Sequence, residues 1–126
     1  MARDDRRQAR DRLSLLAPAD DESTVAHQVG EDASLVGRLL AAVATGNGDH
    51  SRPAALPDDV GAALGLFEGL REQLDRLETQ VVIEARRCGM DWRQIARHQG
   101  LNSSQAASQR YQRLMTRLEE IRQGVR

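Results

Sequence analysis

The sequence predicts an all-α protein: a long heptad-bearing helix, then a helix-turn-helix whose second helix is extended, preceded by a helical or partly disordered N-terminal extension. Three observations predict this. Apolar residues recur at steps of three and four through most of residues 57–125, the spacing that lines one face of a helix. Phe67, Trp92 and Tyr111 are the only aromatic residues, so the core is expected from Leu, Val and Ala at helical spacing, not from a β-sandwich. Finally, the stretch Gly89 to Leu114 carries a short helix signal, a glycine turn and the start of a second helix.

Taken in order, Arg3 to Leu16 is a strongly charged, helix-compatible arm that ends at Ala17-Pro18. Its Asp4, Asp5 and Asp11 are interleaved with arginines, which favours a solvated or disordered arm over one that tracks phosphates. Asp20-Asp21-Glu22-Ser23 is a polar break. Leu35, Val36, Leu39, Leu40 and Val43 then predict a short amphipathic helix from about Ala33 to Thr45. Gly46 to Pro53 has the composition of a linker. The chain therefore divides into an extension, 1–52, and a second unit, 53–126.

Pro57-Asp58-Asp59 is a helix start, with Asp as a candidate N-cap and as a charge favoured by the helix dipole. Val60, Ala63, Phe67, Leu70, Leu74, Leu77 and Val81 follow in a seam about three heptads long, coiled-coil-like in pattern. Past Val81 the phase slips, with Glu84 in an apolar slot and Ala85 and Cys88 taking over, which marks entry into a second packing environment and predicts a buried structural thiol at Cys88. Gly61, Gly65 and Gly69 share one face. Each costs about 1 kcal/mol relative to Ala in a helix interior, so either a second helix approaches closely there or the first turns are irregular.

In the motif, Asp91 and Gln94 form a capping box ahead of a helix from Trp92 to about Gln99. Gly100 supplies the left-handed turn, and Asn102 or Ser103 caps the second helix. Trp92, Ile95, Ala96, Gly100, Leu101, Ala107 and Tyr111 are the expected motif core. Beyond it, Leu114, Leu118, Ile121 and Val125 continue the inward stripe. This stripe and the long helix's seam can satisfy each other within one chain or pair between two, and a homodimer is expected because such motifs gain affinity and half-site specificity as dimers.

Charge points the motif toward double-stranded DNA. All 18 basic residues are Arg, set against 19 acids. Between Arg86 and Arg117 there are seven arginines and one acid, 7 − 1 = +6, so the rest of a chain of net charge −1 sums to −7. A local basic patch on an acidic protein is the electrostatic footprint of phosphate contact. Arg86, Arg87, Arg93, Arg97, Ser103, Arg110 and Arg113 are the expected phosphate contacts, with guanine an option for Arg110. Ser104, Gln105, Ser108, Gln109 and Gln112 face outward and are the expected base contacts, since Gln pairs bidentately with adenine and Ser donates or accepts at either base type.

Trp92-x-x-Ile95-Ala96, Gly100-Leu101 and Ser103-x-Gln105-Ala106-Ala107-x-x-Arg110-Tyr111-x-x-Leu114 resemble the helix-turn-helix of small actinobacterial DNA-binding proteins. Those proteins are labelled small-heat-shock transcriptional regulators or nucleoid-associated proteins. The preceding Leu70 to Arg86 segment is also similar, so the resemblance spans roughly residues 66–118. It implies DNA binding by the Ser104 to Gln112 face, hence a cytoplasmic, nucleoid-associated transcriptional regulator.

Other functions have little support. His27, His50 and His98 are scattered, without a metal-binding spacing, and there is no nucleophile elbow, phosphate loop or carboxylate pair, so neither an enzyme nor a metal or other cofactor is expected. A single cysteine excludes an internal disulfide and fits a reducing compartment. No apolar run reaches the roughly 20 residues of a membrane span, and the N-terminus does not read as a targeting peptide. Two alternatives stay open: a helical interaction module for a sigma factor or other regulator, and an architectural nucleoid protein with little sequence preference.

Overall fold

In a computed structural model describing residues 2–16, 24–45 and 56–124, every regular element is an α-helix. These are α1 (Ala2–Leu13), α2 (Val25–Thr45), α3 (Pro57–Arg87), α4 (Trp92–Gln99) and α5 (Ser104–Arg122). The polar break at 20–23, the linker at 46–53 and Val125 lie outside the described residues.

Helix α2 begins eight residues before the expected Ala33. The Thr24 hydroxyl accepts the His27 N–H at 3.1 Å, an N-cap bond that starts the helix early. Val25, Val29, Val36 and Leu39 are its half-buried apolar stripe, whereas Leu35, Leu40 and Val43 stay exposed. Three of the five expected apolar residues are thus exposed, although Leu35 still borders α3. Helix α3 begins where Pro57 predicts, but its N-cap is Leu56, not an aspartate. Asp59 acts from inside the first turn, its carboxylate accepting the Leu56 N–H at 3.1 Å.

The packed helix pairs are α2 with α3, α3 with α5 and α4 with α5. Residues 25–45 of the extension therefore lie against the second unit. Helix α3 serves these neighbours with different faces. Toward α2, Leu35, Leu39 and Ala42 gather against Ala62, Ala63 and Leu66, around an apolar recess of about 520 Å³. Toward α4 and α5, Val82 joins Ile95, Ala96 and Ala107 in the buried core. At about 100° per residue, Val82 lies roughly 120° around the axis from Leu70.

A helix that turns between two neighbours in this way cannot bury a single seam. Val60, Phe67, Leu74 and Val81 are 42%, 38%, 53% and 67% exposed, and Val82, one step on, is 4%. The expected seam is therefore not buried as one stripe, and toward the end of α3 burial falls on Val82, with Ala85 half-buried, instead of Val81. Cys88, expected to be buried, is exposed, because α3 ends at Arg87 and leaves it on the turn beyond the core. Helix α3 is regular through Gly61, Gly65 and Gly69, so an irregular start does not account for them. Among the described residues nothing lies within 4 Å of a Cβ built at any of the three.

Candidate functional site

Helices α4 and α5 are set by their caps. Asp91 accepts the Gln94 N–H at 2.8 Å, and the Gln94 side chain accepts the Asp91 N–H at 2.8 Å, the reciprocal box expected from the sequence. Gly100 adopts φ 73°, and the following Leu101 N–H reaches the Ala96 carbonyl at 2.8 Å, closing α4 in a left-handed turn. Of the two candidates at the next start, Ser103 is the cap: its hydroxyl accepts the Ala106 N–H at 3.1 Å. That bond uses the hydroxyl's acceptor role and leaves its proton to donate outward.

Behind these turns lie Ile95, Ala96 and Ala107, each 3% exposed or less, with Val82 of α3. The small side chains of Ala96 and Ala107 let α4 and α5 meet closely over Val82. Trp92, Leu101 and Tyr111 are half-buried and pack around the rim. The Trp92 and Tyr111 rings sit 5.7 Å apart at 43°, and the Arg86 guanidinium lies 5.0 Å from the centre of the indole. Trp92 is therefore an edge residue with one face under a cation.

Helix α3 holds the α4–α5 pair through a polar joint. The Glu78 carboxylate accepts from Arg110 Nε at 2.5 Å and from its terminal nitrogen at 2.8 Å, and Gln99 donates to it at 3.2 Å. One side chain of α3 thus ties both α4 and α5. Arg110 holds the Glu78 carboxyl below the usual glutamate range by hydrogen bonding, against a desolvation that pushes it up, and the Arg110 guanidinium is raised in turn. A second ion pair, Arg117 to Asp75 at 3.4 Å, repeats the link further along α5.

Sequence reasoning missed this joint. Glu78 stands at i, i+4 and i+7 with Val82 and Ala85, so an acid within the inward stripe was the available signal.

The joint corrects the charge reading. Arg110, expected at a phosphate or guanine, is engaged by Glu78 across the helix interface. Arg117, counted in the basic patch, is paired with Asp75. Arg87 meets Glu84 at 2.9 Å in a highly exposed pair that holds it weakly. Arg86 covers Trp92 and donates to the Met90 carbonyl at 3.2 Å. Arg93, Arg97 and Arg113 are exposed and form no ion pair among the described residues. The free positive charge is therefore concentrated on α4 and the outer edge of α5.

On α5 the structure brings Gln105, Gln109 and Gln112 together as an exposed stripe at i, i+4 and i+7, with Ser104 beside it and Ser108 half-buried at its margin. An open groove of about 450 Å³ is lined by Arg93, Arg97, Asn102, Ser103 and Ser104, where the end of α4 meets the start of α5. The outer face of α5 continues into a second recess bordered by Gln109, Gln112 and Arg113. The arrangement presents amide and hydroxyl groups along one ridge, flanked by unpaired guanidinium groups. Its chemistry is multiple hydrogen bonding beside an anionic surface.

Among the described residues no group of three His, Cys, Asp or Glu is placed to hold a metal ion, and no helix is long and apolar enough to cross a membrane. Comparison of the chain with known protein families, with curated proteins and with solved structures finds no match.

Proposed function

We propose that α4, the Gly100 turn and α5 form a helix-turn-helix that binds double-stranded DNA, with α5 lying in the major groove, and that the protein regulates transcription. The observation that carries this reading is the exposed ridge of Gln105, Gln109 and Gln112, free of acids through the first three turns of α5 and flanked by Arg93, Arg97 and Arg113. Gln is suited to adenine edges and Ser104 to either base type, while unpaired guanidinium groups on both sides suit the phosphates of one groove. The Ser103 N–H and hydroxyl at the start of α5 add a phosphate contact of the kind helix N-termini make. No enzymatic role is proposed.

Binding as a homodimer belongs to this reading. The exposed Phe67, Leu74 and Val81 of α3 share one face and supply the surface a second copy would use, and two copies would read two half-sites. The same exposed apolar residues favour the second reading, a helical module that docks on another regulator.

Titration against random genomic fragments at two salt concentrations, with the recovered DNA sequenced, separates these readings. A regulator enriches a short motif and weakens steeply in salt. Binding without enrichment identifies an architectural nucleoid protein, and absence of binding favours the interaction module. Gln105→Ala should cost roughly 1–3 kcal/mol on the enriched site only, whereas Arg93→Ala with Arg97→Ala should weaken binding to every sequence and lower its salt dependence.

A further inference from the structure

Among the described residues helix α1 belongs to none of the three packed helix pairs, and all its described side chains from Arg3 to Leu13 are exposed. Its sequence favours a helix locally. Ala, Arg, Gln and Leu are good helix formers, Asp4 and Asp5 lie in the first turn and Arg10 and Arg12 in the last, each matching the helix dipole. Read linearly, its charges alternate. Wound into a helix, they separate.

Arg3, Arg6, Arg7 and Arg10 stand at i, i+3, i+4 and i+7 and fall within an arc of about 100°. Asp5 and Arg12 take the opposite side, and Asp4 and Asp11 border the stripe along one edge. Among the described residues none of the four stripe arginines forms an ion pair. They are instead neighbours of one another, and like charges at these spacings destabilise a helix by about 0.2–0.5 kcal/mol per pair. An anionic surface would remove that repulsion.

We infer that α1 is a second DNA-binding element, a cationic helix whose Arg3, Arg6, Arg7 and Arg10 contact duplex phosphates while α5 occupies its groove. This inference rests on the DNA-binding reading of α5. The stripe spans about 10 Å at 1.5 Å per residue, the rise of about three base pairs at 3.4 Å each, which matches a run of adjacent phosphates. A lipid surface fits less well. A helix lying in a membrane interface needs a broad apolar face, and behind the arginines α1 offers Ala9, Asp5, Gln8 and Arg12, with Leu13 its only large apolar residue.

The test is the salt dependence of the full-length protein binding a random-sequence duplex, comparing wild type with the variant in which Arg3, Arg6, Arg7 and Arg10 are all changed to Gln. Four phosphate contacts contribute up to about 3.6 to the slope of log K against log salt, on the order of a 100-fold extra loss of affinity between 50 and 200 mM. The Gln variant should lose more than one unit of slope, and a variant with Lys at the same four positions should keep it. A steep wild-type slope that the Gln variant lowers by less than one overturns the inference and leaves the α5 reading standing. Absence of any duplex binding by the wild type overturns both. Loss of binding to phosphatidylserine vesicles in the Gln variant, with duplex binding intact, would assign the stripe to lipid and overturn the inference.

Discussion

Glu78→Gln probes the joint between the long helix and the candidate interface most directly. The substitution preserves shape but removes the charge, so the Arg110 fork loses its ionic partner. Gln99 and Arg110 must then share one carbonyl oxygen. The Glu78 side chain is 30% exposed and that of Arg110 42%, which places the pair nearer the surface regime than the buried one. An exposed ion pair contributes about 0.2–1 kcal/mol, and a bidentate, partly shielded pair belongs at the upper end. With a fraction of a kcal/mol for the weakened Gln99 bond, the variant should lose about 1–1.5 kcal/mol of stability at neutral pH.

The effect carries a pH signature. Because Arg110 lowers the folded-state pKa of Glu78, the carboxylate's contribution is complete above its ordinary value near 4.5 and is lost as pH falls through the folded value. Urea denaturation at about pH 7 and about pH 2.5 should therefore show a gap between wild type and variant that closes in acid. An Arg110→Gln single variant and the double variant would complete a cycle whose coupling energy is the pair's own. A gap that persists undiminished in acid, or no coupling in the cycle, would refute the assignment of Glu78 as the ionic tie between α3 and α5.

Ile95→Ala removes a side chain that is 3% exposed at the centre of the core and should cost about 2–5 kcal/mol, read as a lower urea midpoint with an unchanged slope. Trp92→Ala should cost less than a fully buried tryptophan would, nearer about 2 than 5 kcal/mol, because the indole is half-buried at the rim; its thermal unfolding relative to Ile95→Ala checks the order. Gly100→Ala should cost about 1–2 kcal/mol through backbone strain alone at φ 73°, since nothing crowds the added Cβ, and calorimetry should show lowered stability with α-helix content retained. Cys88 should react with a thiol reagent in the native protein at a rate insensitive to low urea, as its exposure requires; reaction only on unfolding would contradict its position on the turn.

Most of what depends on neighbours along the chain was legible in the amino-acid sequence. The box of Asp91 and Gln94, the turn at Gly100 and the start at Pro57 were legible because a cap or a left-handed glycine is decided within four or five residues. The inward set of Ile95, Ala96 and Ala107 was legible because helical period assigns a face once the ends are known. The rest follows from contacts between distant segments. Whether Val81 or Val82 is buried depends on where α2 and the α4–α5 pair meet α3, and those contacts join residues far apart in sequence. The division of the arginines was decided in the same way: counting finds seven of them in one segment, but Glu78, more than thirty residues away, removes Arg110 from the free set. Likewise, the arm's alternating charges became a cationic stripe only once the helix brought Arg3, Arg6, Arg7 and Arg10 around to one side. Local backbone preference acts along the chain, whereas burial and ion pairing act through space.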